Sequence, residues 1–161
     1  MSCAIRWAEP SDVSQIAACL AELGYGTPAA LVAAKLAELA GSSADAVFVA
    51  EEPSSADIVG VISVHVLPLF HAPGRLARIT ALSVRRAAQG VGVGRALVAA
   101  AEAFAWARDC RRIEVTSGDH RVGAHAFYQA LGYALDERRF IKHAQISGPA
   151  DAPGELGVSA G

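Results

Sequence analysis

The residues best suited to chemistry form one short stretch, Gln89-Gly90-Val91-Gly92-Val93-Gly94-Arg95. A strand-like run, Ala77 to Val84, leads into it, and a helix-like run, Ala96 to Arg108, leaves it. Glycines at alternate positions remove Cβ atoms, so backbone N–H groups can close on a ligand. The following helix turns the positive end of its dipole to the same point. Strand, glycine loop and helix together make an anion cradle, most often for phosphate.

The glycine spacing narrows the ligand. A Walker loop ends in Gly-Lys-Ser/Thr, and no Gly-Lys occurs in this chain. A dinucleotide fingerprint needs Gly-x-Gly-x-x-Gly. Counted from Gly90 its third glycine falls on Arg95, and from Gly92 on Leu97. What remains is Gln-x-x-Gly-x-Gly, carried by Gln89, Gly92 and Gly94. Taken alone, the stretch also reads as a glycine-rich turn between a strand and a helix.

The totals set the class. At 161 residues, 53% hydrophobic and 19% charged, the chain suits one globular domain with a sizeable core. The net charge of −2 gives no reason to propose nucleic acid or an anionic membrane as a partner. Cys3, Cys19 and Cys110 are widely spaced, with no His/Cys cluster at metal-ligand spacing, so no metal is expected. A sparse, odd cysteine count suits a reducing compartment. Met1 to Glu9 lacks a signal-peptide core, and no apolar run approaches membrane length, so the cytoplasm is the default expectation.

These elements must position the loop. Cys3 to Trp7 reads as an edge strand. Pro10 suits a first helical position, and Val13, Ile16, Ala17 and Leu20 share one helical face that Gly24 ends. Thr27-Pro28 starts a second helix, with Val32, Leu36 and Leu39 as its stripe and Gly41 as its stop. Strands follow at Ala46 to Glu51, Ile58 to Val66 and Arg75 to Val84. In the third strand Ile58, Ile62, Val64 and Val66 form one apolar face, while Ser63 and His65 turn the other face polar toward the end. After the glycine loop and its helix comes a fifth strand, Ile113 to Thr116. Ala124, Phe127, Tyr128 and Leu131 mark a further helix that Gly132 ends. Late strands are expected around Tyr133 to Leu135 and Arg139 to Lys142, and residues 147–161 read as a loose Gly/Pro/Ala-rich tail after a single domain over residues 1–146. The order β-α-α-β-β-β-α-β-α-β-β points to an α/β (α+β) fold with a mixed sheet flanked by helices.

Two motifs and this order resemble the GNAT family, the GCN5-related N-acetyltransferases. The stretch Gln89 to Gly94 is similar to that family's (Arg/Gln)-x-x-Gly-x-(Gly/Ala) acetyl-CoA loop. Ala124-His125-Ala126-Phe127-Tyr128-Gln129-Ala130-Leu131-Gly132-Tyr133 is similar to its Ala-x-x-Phe-Tyr-x-x-x-Gly-(Phe/Tyr) segment. The resemblance covers about residues 3 to 145 and implies a mostly antiparallel sheet with acetyl-CoA as co-substrate. It implies that the backbone of Leu82, Ser83 and Val84 pairs with the pantetheine arm. A bulge there splays the fourth strand from the fifth. The amides of Gln89, Gly90, Val91, Gly92, Val93, Gly94 and Arg95 would hold pyrophosphate. Ser117 could hydrogen-bond the pantetheine or the acceptor, or simply start a turn. Tyr128 matches the general acid that protonates the leaving thiolate; its plainer role is a core aromatic.

The acceptor amine must lose a proton before it attacks. Many members of the family use a strand-four glutamate, but the matching segment here, Ile79-Thr80-Ala81-Leu82, has no carboxylate. Candidates for the base are His65, Glu51, Glu114, Asp119, His120 and His125, with His65 favoured because histidine titrates near neutrality. A hydrogen-bonded sheet histidine is the plainer alternative. The acceptor, a small-molecule or peptide amine, is not specified, and Tyr25 and the Leu67 to Gly74 loop are the segments expected to meet it. Homodimers are common in the family. The competing reading is a non-catalytic acyl-CoA-binding sensor on the same fold.

Overall fold

In a computed structural model, residues 2–116, 122–136 and 138–145 are described. The strands are β1 (Ala4–Trp7), β2 (Asp45–Glu51), β3 (Ile58–Pro68), β4 (Arg75–Val84) and β5 (Cys110–Val115). They lie in chain order in one sheet, antiparallel from β1 to β4 and parallel between β4 and β5. The helices are α1 (Val13–Glu22), α2 (Ala29–Leu39), α3 (Val93–Trp106) and α4 (Val122–Ala130). α3 is the crossover that a parallel β4–β5 pair requires. No helix among the described residues is long and apolar enough to cross a membrane.

Alternation along the strands divides two cores. Phe48, Ile62, Val64, Ile79 and Leu82 face α3, where Leu97, Val98, Ala101 and Phe104 complete the larger core; Ala124 and Tyr128 of α4 join it. Val49, Ile58 and Val61 face the other way and pack on Ile16 and Cys19 of α1 and Val32 of α2. Of the predicted α1 stripe Ile16 is buried, and Val13, Ala17 and Leu20 pack partly buried against the same core. Ile58, expected on the face of Ile62, lies on the opposite one, because the register with β2 shifts between Gly60 and Ile58. α3 comes so close to β3 that a Cβ on Gly60 would meet Leu97 Cδ1 at 2.9 Å and the Ser83 carbonyl oxygen at 3.2 Å. That approach fixes the start of α3, and with it the glycine loop.

α1 and α4 end alike. After α1, Gly24 at φ 89° donates to Ala21, and Tyr25 donates to the Leu20 carbonyl. After α4, Gly132 at φ 91° donates to Gln129, and Tyr133 donates to the Tyr128 carbonyl. Both are Schellman stops, in which a left-handed glycine lets two amides satisfy the last carbonyls.

Boundaries move at several points. α2 starts after Pro28, with no side-chain cap from Thr27. β5 begins at Cys110, three residues before the expected start, so Cys110 opens a strand and does not close a helix. The two late strands expected at Tyr133–Leu135 and Arg139–Lys142 are corrected: among the described residues these segments form no strand. Tyr133 packs on the α4 side of the core, but Leu135, Phe140 and Ile141 stay out in solvent at 59%, 102% and 60% exposure. A strand pair without a buried face does not hold. The tail 147–161 lies outside the described residues.

One buried charge fastens the first strand to the first helical turn. Asp12, 4% exposed, accepts two bonds from the Arg6 guanidinium at 2.8 and 2.9 Å and one from the Glu9 amide at 2.7 Å. The Arg6 bonds, then the Glu9 amide, hold the Asp12 carboxyl below its ordinary value against the opposing effect of burial. A depressed folded pKa stabilises above the unfolded pKa and stops doing so as pH falls through the folded one. Asp12→Asn is therefore expected to lose about 2 kcal/mol at pH 7 in urea unfolding. The gap to the parent protein should close below about pH 4.

Candidate active site

β4 pairs with β3 along its whole length. Among the described residues its parallel pairing with β5 covers only the first half, from Arg75↔Cys110 to Ile79↔Val115. On its other side the register with β3 slips at the same place, from Val64↔Ile79 to Ser63↔Ala81, which leaves Thr80 as an extra residue. Such a bulge bends a strand and ends pairing. It also puts Thr80 and Ala81 on one face, where both line the same cavity, while Ile79 and Leu82 stay in the α3 core. The bulge therefore lies at Thr80, ahead of the expected Leu82–Val84. Beyond it Leu82, Ser83 and Val84 have β3 as their sheet partner, and no ladder to β5 among the described residues.

The glycine loop follows directly. A 3-10 turn over Arg86–Ala88 leads from β4 to Gln89, whose Nε2 donates to the Val84 carbonyl at 3.0 Å. Gly90 and Gly92 take φ 78° and 93°, values that L side chains rarely adopt, and Gly92 is the N-cap of α3. The Ala96 amide donates to the Gly92 carbonyl and closes the first turn, so the amides of Val93, Gly94 and Arg95 precede the helical ladder. A Cβ built on Gly90 or Gly92 meets nothing within 4 Å. Val93 is buried, while Val91 and Arg95 are exposed. The loop is open outward, as an anion cradle must be.

Not every expected residue offers its side chain. Ser83, 1% exposed, spends its hydroxyl on the Cys19 carbonyl at 2.8 Å, so only its backbone is left for a ligand. Cys19 donates weakly to the Ile58 carbonyl, and burial pushes its thiol up to about 11. Ser117, Asp119 and His120 lie outside the described residues.

Tyr128 sits where the α4 stop holds it. Its carbonyl accepts from Tyr133, and its ring packs on Phe127 and Tyr133 at centroid distances of 5.1 and 5.5 Å. The Tyr133 hydroxyl in turn donates to Glu102 of α3 at 2.9 Å. The Tyr128 hydroxyl is buried, and no hydrogen-bond partner for it exists among the described residues. Burial pushes its pKa well above the ordinary phenol value, so at neutral pH it is a proton donor. A buried hydroxyl without a partner is costly and calls for an explanation, such as a ligand atom that completes it. His125, one turn earlier, also has a buried, unpartnered Nε2.

His65 lies on the face opposite α3. Its Nδ1 is 2.7 Å from Asp45 Oδ1, and its Nε2 is 2.8 Å from Thr80 Oγ1. Ser42 first, then His65, hold Asp45 below its ordinary pKa, so it is an ionised acceptor. Nδ1 therefore carries the hydrogen, and the lone pair on Nε2 accepts from the Thr80 hydroxyl. With its one hydrogen so committed, Thr80 receives the Ser63 hydroxyl bond at 2.7 Å and keeps one lone pair. His65 is thus both the hydrogen-bonded sheet histidine and a group beside the β4 bulge. Glu51 and Glu114 are poor bases by comparison. Arg6 holds Glu51 at 2.6 Å, and Arg78 and Arg112 hold Glu114 at 2.9 and 3.0 Å. Asp45 and Thr80 were not singled out from sequence. The alternation of Ser63 and His65 was the available signal for Asp45, which pairs across from His65.

The family model described as acetyltransferase (GNAT) family matches residues 14–133. The chain belongs to that family. GNAT proteins use acetyl-CoA, and the open glycine loop and the unpartnered Tyr128 hydroxyl fit such a ligand. Among solved structures, a transcriptional regulator from Bacillus halodurans is 26% identical with a TM-score of 0.79, covering 89% of this chain and 100% of that one. Glucosamine-6-phosphate N-acetyltransferase from Arabidopsis thaliana, 19% identical with a TM-score of 0.77 over 90% of this chain and 100% of that one, shares the fold. So does the aminoglycoside N-acetyltransferase AAC(6')-Iy in complex with CoA, 17% identical with a TM-score of 0.76 over 90% and 96% of the two chains. No curated protein sequence matches the chain.

The Tyr128 hydroxyl gives a prediction for the ligand-free protein. Removing a buried hydroxyl that has no partner removes a desolvation cost. Tyr128→Phe should leave stability unchanged or raise it by about 1 kcal/mol in urea unfolding. A loss larger than that would reveal a partner for the hydroxyl and remove the argument that it awaits a ligand.

Proposed function

We propose that this GNAT protein is an acetyl-CoA-dependent N-acetyltransferase acting on the amine of a small molecule or peptide by direct attack. The observation that carries the proposal is the buried, unpartnered Tyr128 hydroxyl. Its setting supports the same reading, because the described β4–β5 ladder ends at Ile79 and β4 runs on into an open glycine loop. Acetyl-CoA supplies an acetyl group activated as a thioester. The backbone of Leu82, Ser83 and Val84 serves as the edge on which the pantetheine arm lies. The amides from Gln89 to Arg95, with the α3 dipole behind them, hold the pyrophosphate. Ser117 is retained as a hydrogen-bonding residue on the strength of the resemblance alone.

Proton handling divides between two ends of the site. The attacking nitrogen forms a C–N bond as the C–S bond breaks. Its proton passes to His65 Nε2 through the Thr80 hydroxyl, which is already bonded to that nitrogen. Asp45 orients the imidazole and stabilises its charged form. The leaving sulfur takes the phenolic proton of Tyr128. Proton exchange with water then restores both groups.

The second reading, a non-catalytic acyl-CoA-binding module, draws support from the described role of the Bacillus halodurans neighbour, a transcriptional regulator. It draws support too from the missing carboxylate in Ile79–Leu82.

Calorimetry with acetyl-CoA and CoA, followed by thiol release across a panel of amines, separates these readings. The parent protein should bind both ligands and release thiol with some amine. Gly92→Val forces a branched side chain onto a φ of 93° and into the cradle, and should weaken binding at least about tenfold. Unchanged binding would remove the loop from the site. Tyr128→Phe should keep the Kd for CoA and lower kcat by about 100-fold. Equal turnover would make Tyr128 a packing residue, and binding without thiol release for any amine would favour the non-catalytic module.

A further inference from the structure

A cavity of about 490 Å³ lies between the sheet and the two N-terminal helices, within the usual size range of small-molecule sites. Ile16 and Leu20 of α1, Val32 and Leu36 of α2, and Val47 and Val61 of the sheet supply aliphatic wall and floor. The polar groups are not spread evenly. Ser63, His65 and Thr80 form one hydrogen-bonded cluster, placed where the described β4–β5 ladder ends. An amine seated there meets Thr80, while the rest of its molecule lies along hydrocarbon.

Charge then decides what that molecule is. Glu38 is the one carboxylate among the described residues that line the cavity, and Lys35 holds it at 3.0 Å. Both of these side chains are more than half exposed. Asp45, behind His65, is already engaged by Ser42 and the imidazole. A second ammonium group on the acceptor would lie against aliphatic side chains, with Glu38, already paired to Lys35, as the one carboxylate of the described lining, which is unfavourable. A phosphorylated acceptor meets the converse problem, since Lys35 is the one cationic side chain in the lining and is paired with Glu38.

We infer that the acceptor is a small primary monoamine on an aliphatic or aromatic body, bound in the α1/α2 cavity with its nitrogen at Thr80. The inference rests on the acetyltransferase reading above and names the substrate class of that site. The single nitrogen is delivered to the polar cluster, loses its proton there, and attacks as the neutral amine. Leu20 and Leu36 select the body by shape and by exclusion of water.

The test compares 2-phenylethylamine and hexylamine with spermidine, kanamycin and glucosamine 6-phosphate, read by thiol release from acetyl-CoA. The monoamines should exceed the polycations and the phosphosugar in kcat/KM by about 100-fold. Leu36→Trp, which fills the cavity, should raise the KM for 2-phenylethylamine at least about tenfold. The Kd for acetyl-CoA, measured by calorimetry on the same variant, should not move and also reports that the variant is folded. Leu20→Phe is the milder substitution should Leu36→Trp not fold, with the same direction expected. Preference for spermidine, kanamycin or the phosphosugar overturns the substrate class and leaves the acetyltransferase reading intact. An unchanged KM in the folded cavity variant overturns the location. Acetyl-CoA binding with no thiol release for any of the five overturns the inference together with the activity beneath it.

Discussion

At Thr80 the fourth strand carries one residue more than the third strand can pair, and among the described residues its ladder to the fifth ends at the same level. Strand twist and the extra residue act together, because a bulge bends the bulged strand and sharpens its twist. One local irregularity then has two consequences. The polar side chain of Thr80 turns to the same face as Ala81 and reaches His65. Leu82 and Val84 are returned to the α3 core, so the strand stays anchored past the bulge. Every functional group described above is placed relative to this point.

Past the bulge β4 is also held from α1. The Ser83 hydroxyl bonds the Cys19 carbonyl, and Glu22 accepts from the Arg85 side chain and the Arg86 amide. The Ile58 amide donates to Gln15 of the same helix at 2.7 Å. α1 thus lines the cavity beside Thr80 on one side and fastens the approach to the glycine loop on the other. The close packing of α3 at Gly60 fixes the far side of that loop. Cavity and loop therefore share these supports.

The Phe-Tyr motif has a physical reason in this chain. Tyr128 is the residue whose carbonyl the Schellman stop satisfies, Gly132 is its left-handed residue, and Tyr133 supplies both the closing amide and a ring against Tyr128. The spacing Tyr-x-x-x-Gly-Tyr therefore encodes the position of one phenol, and Tyr133 secures it to α3 through Glu102. That is why so short a pattern is informative: each of its fixed residues has a distinct geometric task.

The sequence by itself determined what depends on neighbours along the chain. The glycine loop, the Schellman stops at Gly24 and Gly132, the helical stripes and the first five strands are all local patterns, and each is found near its expected position. The family follows from two such patterns in the right order. Only the tertiary structure decided what depends on pairing between distant segments. Nothing local in Ile79-Thr80-Ala81-Leu82 announces a bulge, because the extra residue exists only relative to β3. The Asp45–His65–Thr80 chain spans three strands, and Ser83 turns inward because α1 presents a carbonyl to it. The late strands at 133–135 and 139–142 have the right residue types, but beyond Tyr133 their large apolar side chains Leu135, Phe140 and Ile141 are exposed. Propensity is a property of a segment, whereas a ladder, a buried hydroxyl or a relay needs two or more segments to meet.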